Sequence, residues 1–129
     1  MGLKDGFGLN GGGSGGGGGL PYKSYVATIT QDGSAAPVAT VLQNDTGLTF
    51  SYGRVNDGQY YIAVSGGTLT LAKTFFMVQA YSAESGCLAI PGYSDPTTTR
   101  LYFQSLDPTL TPNDGRFDFP SPMEIRIYP

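Results

Sequence analysis

The chain has 129 residues, 7 Lys and Arg against 10 Asp and Glu, one cysteine, and no histidine or tryptophan. Sparse, scattered cations disfavour nucleic acid, whose phosphates demand clustered Lys and Arg. Without histidine the chain lacks the commonest general base, the Ser-His and Cys-His pairs and histidine-ligated zinc, and one cysteine supplies neither a thiolate metal site nor an intrachain disulfide.

The composition breaks at Leu20-Pro21. Eleven of the first nineteen residues are glycine, including the run Gly15, Gly16, Gly17, Gly18 and Gly19. We therefore divide the chain into a glycine-rich N-terminal arm, residues 1–20, and a β domain, residues 21–129. The domain, at about 110 residues, is long enough to bury a core without disulfides or metals. Met1 to Phe7 contains no apolar stretch of the length a secretory signal needs, and no segment has the length and apolarity of a membrane helix. Gly6 stands where N-myristoylation wants Ser or Thr. The absence of an intrachain disulfide fits assembly in a reducing cytoplasm.

Behind the arm, alternating segments and turn signals follow at the rhythm of a sandwich or barrel. Tyr22–Thr30 is the first predicted strand, with Tyr25, Ala27 and Ile29 on one face. Gln31-Asp32-Gly33-Ser34 turns the chain into Val38–Gln43. Asn44-Asp45-Thr46-Gly47 leads to a third strand in which Leu48, Phe50 and Tyr52 alternate with Thr49 and Ser51. Asn56-Asp57-Gly58 is a tight-turn signal, because these residues tolerate positive φ. Tyr60, Ile62 and Val64 share one face of the next strand, and Gly66-Gly67 turns into a short strand, Thr68–Leu71.

The nearly continuous apolar run Phe75–Tyr81 reads as a central strand buried on both sides. Cys87–Ile90 is short, with Cys87 expected as a buried small hydrophobe. Arg100–Gln104 puts Leu101 and Phe103 inside. A proline-rich loop then precedes Met123–Tyr128, with Met123, Ile125 and Ile127 inward and Glu124 and Arg126 outward. No segment has the 3.6-residue period and caps of a helix. The fold class is all-β: an antiparallel β-sandwich, jelly-roll or Greek-key like, with an extended arm.

Chemistry-bearing patterns are few. Gly6-Phe7-Gly8-Leu9-Asn10-Gly11 matches G-x-G-x-x-G, but neither the strand before it nor the helix after it is present, so it carries no nucleotide site. Asp107, Asn113, Asp114 and Asp118 lie in one loop, yet lack the calcium-loop spacing and read as a solvated loop. Most other aspartates adjoin Gly, Asn or Pro, where they support turns. No catalytic residue, cofactor or metal is expected. In Tyr60-Tyr61 and Tyr102-Phe103 one ring points to each sheet face, so Tyr61 and Tyr102 face away from the core. They form either an ordinary half-buried face or a surface covered by a neighbouring subunit.

Polyglycine does not order itself, since fixing a residue costs about 1–2 kcal/mol and glycine lies at the costly end. The plain reading of GGGSGGGGG is a flexible linker. The sharper reading is an assembly arm: Leu3, Phe7 and Leu9 serve as anchors, and neighbouring subunits compensate the entropy through backbone hydrogen bonds.

Several stretches also carry a resemblance: the glycine-rich start, Leu20-Pro21-Tyr22-Lys23-Ser24-Tyr25-Val26-Ala27, Thr30-Gln31-Asp32-Gly33, Ala36-Pro37-Val38-Ala39-Thr40-Val41-Leu42-Gln43-Asn44, and Met123-Glu124-Ile125-Arg126-Ile127-Tyr128. Here the chain resembles small β proteins with glycine-rich N-termini from Bacteroidetes bacteria and the tailed phages that infect them. The likeness covers both ends of the domain, and Gly53–Asp118 falls outside it. It implies no activity and no site residue. It implies a phage context: a virion structural protein, such as a capsid decoration, head fibre or tail-associated subunit. Its partners would be other virion proteins and further copies of itself, with no nucleic acid or membrane. The competing expectation is a receptor- or glycan-binding tip that uses tyrosine-lined loops.

Overall fold

The structure, a computed structural model, describes residues 19–92 and 99–129. Of the arm residues singled out above, only Gly19 is among them. Leu3, Phe7, Leu9 and Gly15 to Gly18 lie outside the described residues.

Eight strands form: β1 (Lys23–Thr30), β2 (Val38–Asn44), β3 (Thr49–Asn56), β4 (Gln59–Ser65), β5 (Thr74–Val78), β6 (Leu88–Pro91), β7 (Arg100–Leu106) and β8 (Ser121–Ile127). They make two four-stranded antiparallel sheets, ordered β2-β1-β8-β5 and β3-β4-β7-β6. The architecture is the antiparallel sandwich that the alternation predicts. Two hairpins, β1–β2 and β3–β4, place one hairpin in each sheet. The β6–β7 pair is nested within the β5–β8 pair, so the second half of the chain is one long hairpin folded across both sheets.

The core lies between the sheets and is built from the alternate residues of each strand. Tyr25, Ala27 and Ile29 of β1, Tyr60, Ile62 and Val64 of β4, Leu101 and Phe103 of β7, and Met123 and Ile125 of β8 are all buried. The Tyr25 ring packs 4.3 Å from that of Phe50, and Phe76 meets Phe103 edge-on at 5.9 Å, so both pairs bridge the two layers. The Tyr25 and Tyr52 hydroxyls are 2.9 Å apart, and Tyr52 Oη donates to Met123 Sδ at 3.0 Å.

Gly58 shows why its turn needs glycine. Its φ is +65°, and a Cβ there would strike the backbone of Pro112, Asn113 and Ser105. The β3–β4 turn is thereby pressed against the long loop before β8.

Four expectations are corrected. Phe75–Tyr81 is not a central strand: β8 takes the central place, and β5 is the sheet edge. Phe76 and Val78 face the core, whereas Phe75 is 56% and Met77 41% exposed. An apolar run on an edge strand looks the same in sequence as one buried on both faces. Thr68–Leu71 forms no strand: Leu69 alone is buried there, and Leu71–Lys73 make a 3-10 turn. Cys87 is only half-buried, because it precedes the edge strand β6, where Leu88 and Ile90 are also exposed. The loop before β8 is more than solvated sequence: it sends Phe117, wholly buried, between Tyr60 and Phe103.

Candidate functional site

The sequence nominated Tyr61 and Tyr102, and the structure brings them together. They are direct partners in the β4–β7 register, while their chain neighbours Tyr60 and Phe103 are wholly buried. Antiparallel alternation alone puts both phenols on the outer face. Their ring centroids are 6.3 Å apart, and the Arg100 guanidinium carbon lies 4.1 Å over the Tyr61 ring. Gly53, opposite Tyr61 on β3, leaves space for that ring, since a Cβ there would collide with it. The result is a half-buried cation–π stack closed over a glycine.

A second aromatic surface went unrecognised. On the outer face of the other sheet, the Tyr128 ring lies 5.2 Å from Tyr22 and 5.4 Å from Phe75. Arg126 sits 4.7 Å over Tyr22 and binds Glu124 through Nε at 2.8 Å. The register sets Phe75 beside Arg126 and Met77 beside Glu124, so two apolar side chains flank an ion pair. This surface adjoins the point where the arm joins the domain. A hollow of about 310 Å³ there is lined by Leu20, Pro21, Tyr22, Ile127, Tyr128 and Pro129, with Lys23 its one charged wall. The alternation of Phe75 and Met77 against Phe76 and Val78 was the available signal, masked because all four are apolar.

The loop aspartates each find separate partners. Asp107 Oδ1 accepts from the backbone and hydroxyl of Thr109 and from the Thr111 backbone. Asp118 accepts from Ser82 and from the Ala83 N–H. Asp114, with a side chain only 14% exposed, accepts from the Gly58 N–H at 2.9 Å and Tyr60 Oη at 2.7 Å on one oxygen, and from Arg54 Nε and Nη2 at 3.0 and 2.7 Å on the other. Among the described residues no three His, Cys, Asp or Glu cluster as a metal site.

Burial pushes the Asp114 carboxyl up, but the hydrogen bonds from Arg54, Gly58 and Tyr60 together hold it well below the usual carboxylate range. Burial, then the bond to Asp114, pushes the Tyr60 phenol above its ordinary value, and burial does the same to Tyr52. At neutral pH these phenols are protonated donors and Asp114 is an ionised acceptor, which suits a fixed structural network.

Among the described residues no helix is long and apolar enough to cross a membrane. The comparisons with known proteins found no family model, no curated protein and no solved structure that matches the chain.

Proposed function

We infer that this chain is a structural protein of a phage virion, a capsid decoration, head fibre or tail-associated subunit, which assembles through its N-terminal arm and its β domain. The observation that carries the reading is the aromatic surface of Tyr22, Phe75 and Tyr128 at the root of the glycine-rich arm. Contiguous exposed apolar surface marks contact sites, and here it lies beside a segment suited to laying backbone along a neighbour. The resemblance of the first and last strands to phage-associated proteins supplies the biological setting. On this reading the partners are other virion proteins and further copies of the chain, and the chain performs no catalysis.

Size-exclusion chromatography with light scattering tests the reading on the full chain. Self-association that weakens when residues 1–19 are deleted is the expected result. A monomer at every concentration, unchanged by that deletion, would overturn it.

A receptor- or glycan-binding tip is the second reading, favoured by the paired Tyr61 and Tyr102 rings, because aromatic faces stack on sugars and on partner side chains. Binding on a glycan array that disappears in Tyr102→Ala would favour it over assembly.

A further inference from the structure

We propose that the hollow at the root of the arm receives the apolar segment Leu3–Leu9 from a second copy of this chain. The proposal rests on the assembly reading above and names the contact through which it operates.

Three observations carry it. The hollow is apolar where the segment is apolar: its walls are Leu20, Pro21, Ile127, Pro129 and the rings of Tyr22 and Tyr128, and Phe75 extends it along the sheet. Leu3, Phe7 and Leu9 supply one aromatic and two branched aliphatic side chains, spaced by Lys4, Asp5, Gly6 and Gly8. Leu20 is 64% exposed and Phe75 56%, so the walls present uncovered apolar area.

The charges are also compatible. Lys23 is the one charged residue lining the hollow, and Asp5 is the one acid in the arm. The Arg126 guanidinium is engaged by Glu124 and the Tyr22 ring, so it presents no unpaired cation to the apolar segment.

The length of chain before the domain lets the segment reach the hollow of a second copy. Leu20 itself borders the hollow. A return of Leu9 to the hollow of its own chain requires only a tight reversal, for which loops of about two to five residues suffice. The sequence instead places Asn10 and the nine residues Gly11–Gly19 between Leu9 and Leu20. Eleven steps of backbone reach at most about 36–40 Å. A domain of this size has a radius of gyration of about 13 Å, so the reach matches a crossing from one domain to the same hollow on a touching neighbour. Because each copy has one arm leaving beside one hollow, reciprocal exchange closes a symmetric pair in which both seats are filled.

The chain has no tryptophan, so a single one reports the seat without background. Phe7→Trp is placed in the full chain and its emission and quenching by iodide are followed with dilution, beside the mass from light scattering. The expected result is a blue-shifted, protected tryptophan in the associated form that becomes exposed as the mass falls to the monomer. Leu20→Asp and Phe75→Asp change exposed residues, and circular dichroism verifies their fold. Each is expected to weaken association at least about tenfold, the consequence of losing one large apolar contact. A tryptophan protected equally in the dilute monomer overturns the proposal in favour of a seat on the same chain. A tryptophan exposed in the associated form also overturns it, yet leaves the assembly reading standing. Absence of association at any concentration overturns both.

Discussion

Asp114 ties the loop before β8 to the β3–β4 hairpin. Its carboxylate joins Arg54 on β3, the Gly58 turn and the Tyr60 hydroxyl on β4 to the loop before β8. Because its pKa is lowered on folding, the unfolded chain binds more protons in acid, and stability falls as pH drops. The contribution is fully present above the ordinary carboxylate pKa of about 4 and is lost as pH falls through the folded value. Asp114→Asn is therefore expected to unfold at lower urea at pH 7, by about 1–3 kcal/mol, since it removes the ionised acceptor of Arg54, the Gly58 N–H and Tyr60 Oη and leaves Arg54 only its longer contact to Asp57 at 3.4 Å. Between pH 5 and pH 2 the variant should lose stability less steeply than the wild type. Equal slopes would remove Asp114 as a source of acid sensitivity. Sequence showed this residue only as a turn aspartate, because Asn113-Asp114-Gly115 carries no trace of Arg54, about sixty positions earlier.

Gln31 works in the same way. It opens the β1–β2 turn, and its side chain donates to the Gly33 and Ala35 carbonyls while accepting from the Gly115 N–H at 2.7 Å. Local sequence identified the turn, and the distant loop supplied the reason that this glutamine is buried.

At the scale of elements, the two sheets treat their outer faces differently. On β3 and β4 the Tyr61 ring occupies the space over Gly53. Gly53→Ala should cost about 1–3 kcal/mol by overpacking, measured as a shift in urea midpoint. Most of that loss should disappear in the double variant with Tyr61→Ala, as coupled neighbours are non-additive. Strictly additive losses would mean that the ring does not confine the glycine. Two phenylalanines differ by where their strands place them: Phe103 of β7 is wholly buried between the sheets, and Phe75 of the edge strand β5 is exposed on the other sheet. Phe103→Ala should destabilise by about 3–5 kcal/mol, as a large deletion in the core does. Phe75→Ser should change stability by no more than about 0.5 kcal/mol. A large loss from Phe75→Ser in the monomer would contradict its exposed position.

The expectation for Phe75–Tyr81 failed for a physical reason. Apolar continuity shows that both faces of a strand tolerate burial, and does not show whether a neighbouring strand arrives. Here β5 pairs along one edge only, with β8, and Phe75 and Met77 on its outer face remain open. By contrast β1, β4, β7 and the core of β8 were legible, because clean alternation fixes which face turns inward whatever the partner.

For the whole molecule, the buried apolar core among the described residues runs from Tyr25 to Ile125. Deleting residues 1–19 should therefore leave the circular dichroism spectrum of the domain unchanged and move the melting temperature by less than about 4 °C, measured under monomeric conditions. A collapse of the fold would show that the arm belongs to the domain rather than to its contacts.

The sequence by itself determined the all-β class, most strands, the turns at glycine, and the outward direction of Tyr61 and Tyr102. These follow from local rules: a period of two, and a φ that only a few residues adopt. Only the tertiary structure decided that β5 lies at an edge, that Phe117 enters the core, that Asp114 ties its loop to the β3–β4 hairpin, and that an aromatic hollow opens where the arm begins. Each depends on pairing between residues far apart in the chain, and the order of strands in a sheet is set by that pairing rather than by any strand alone.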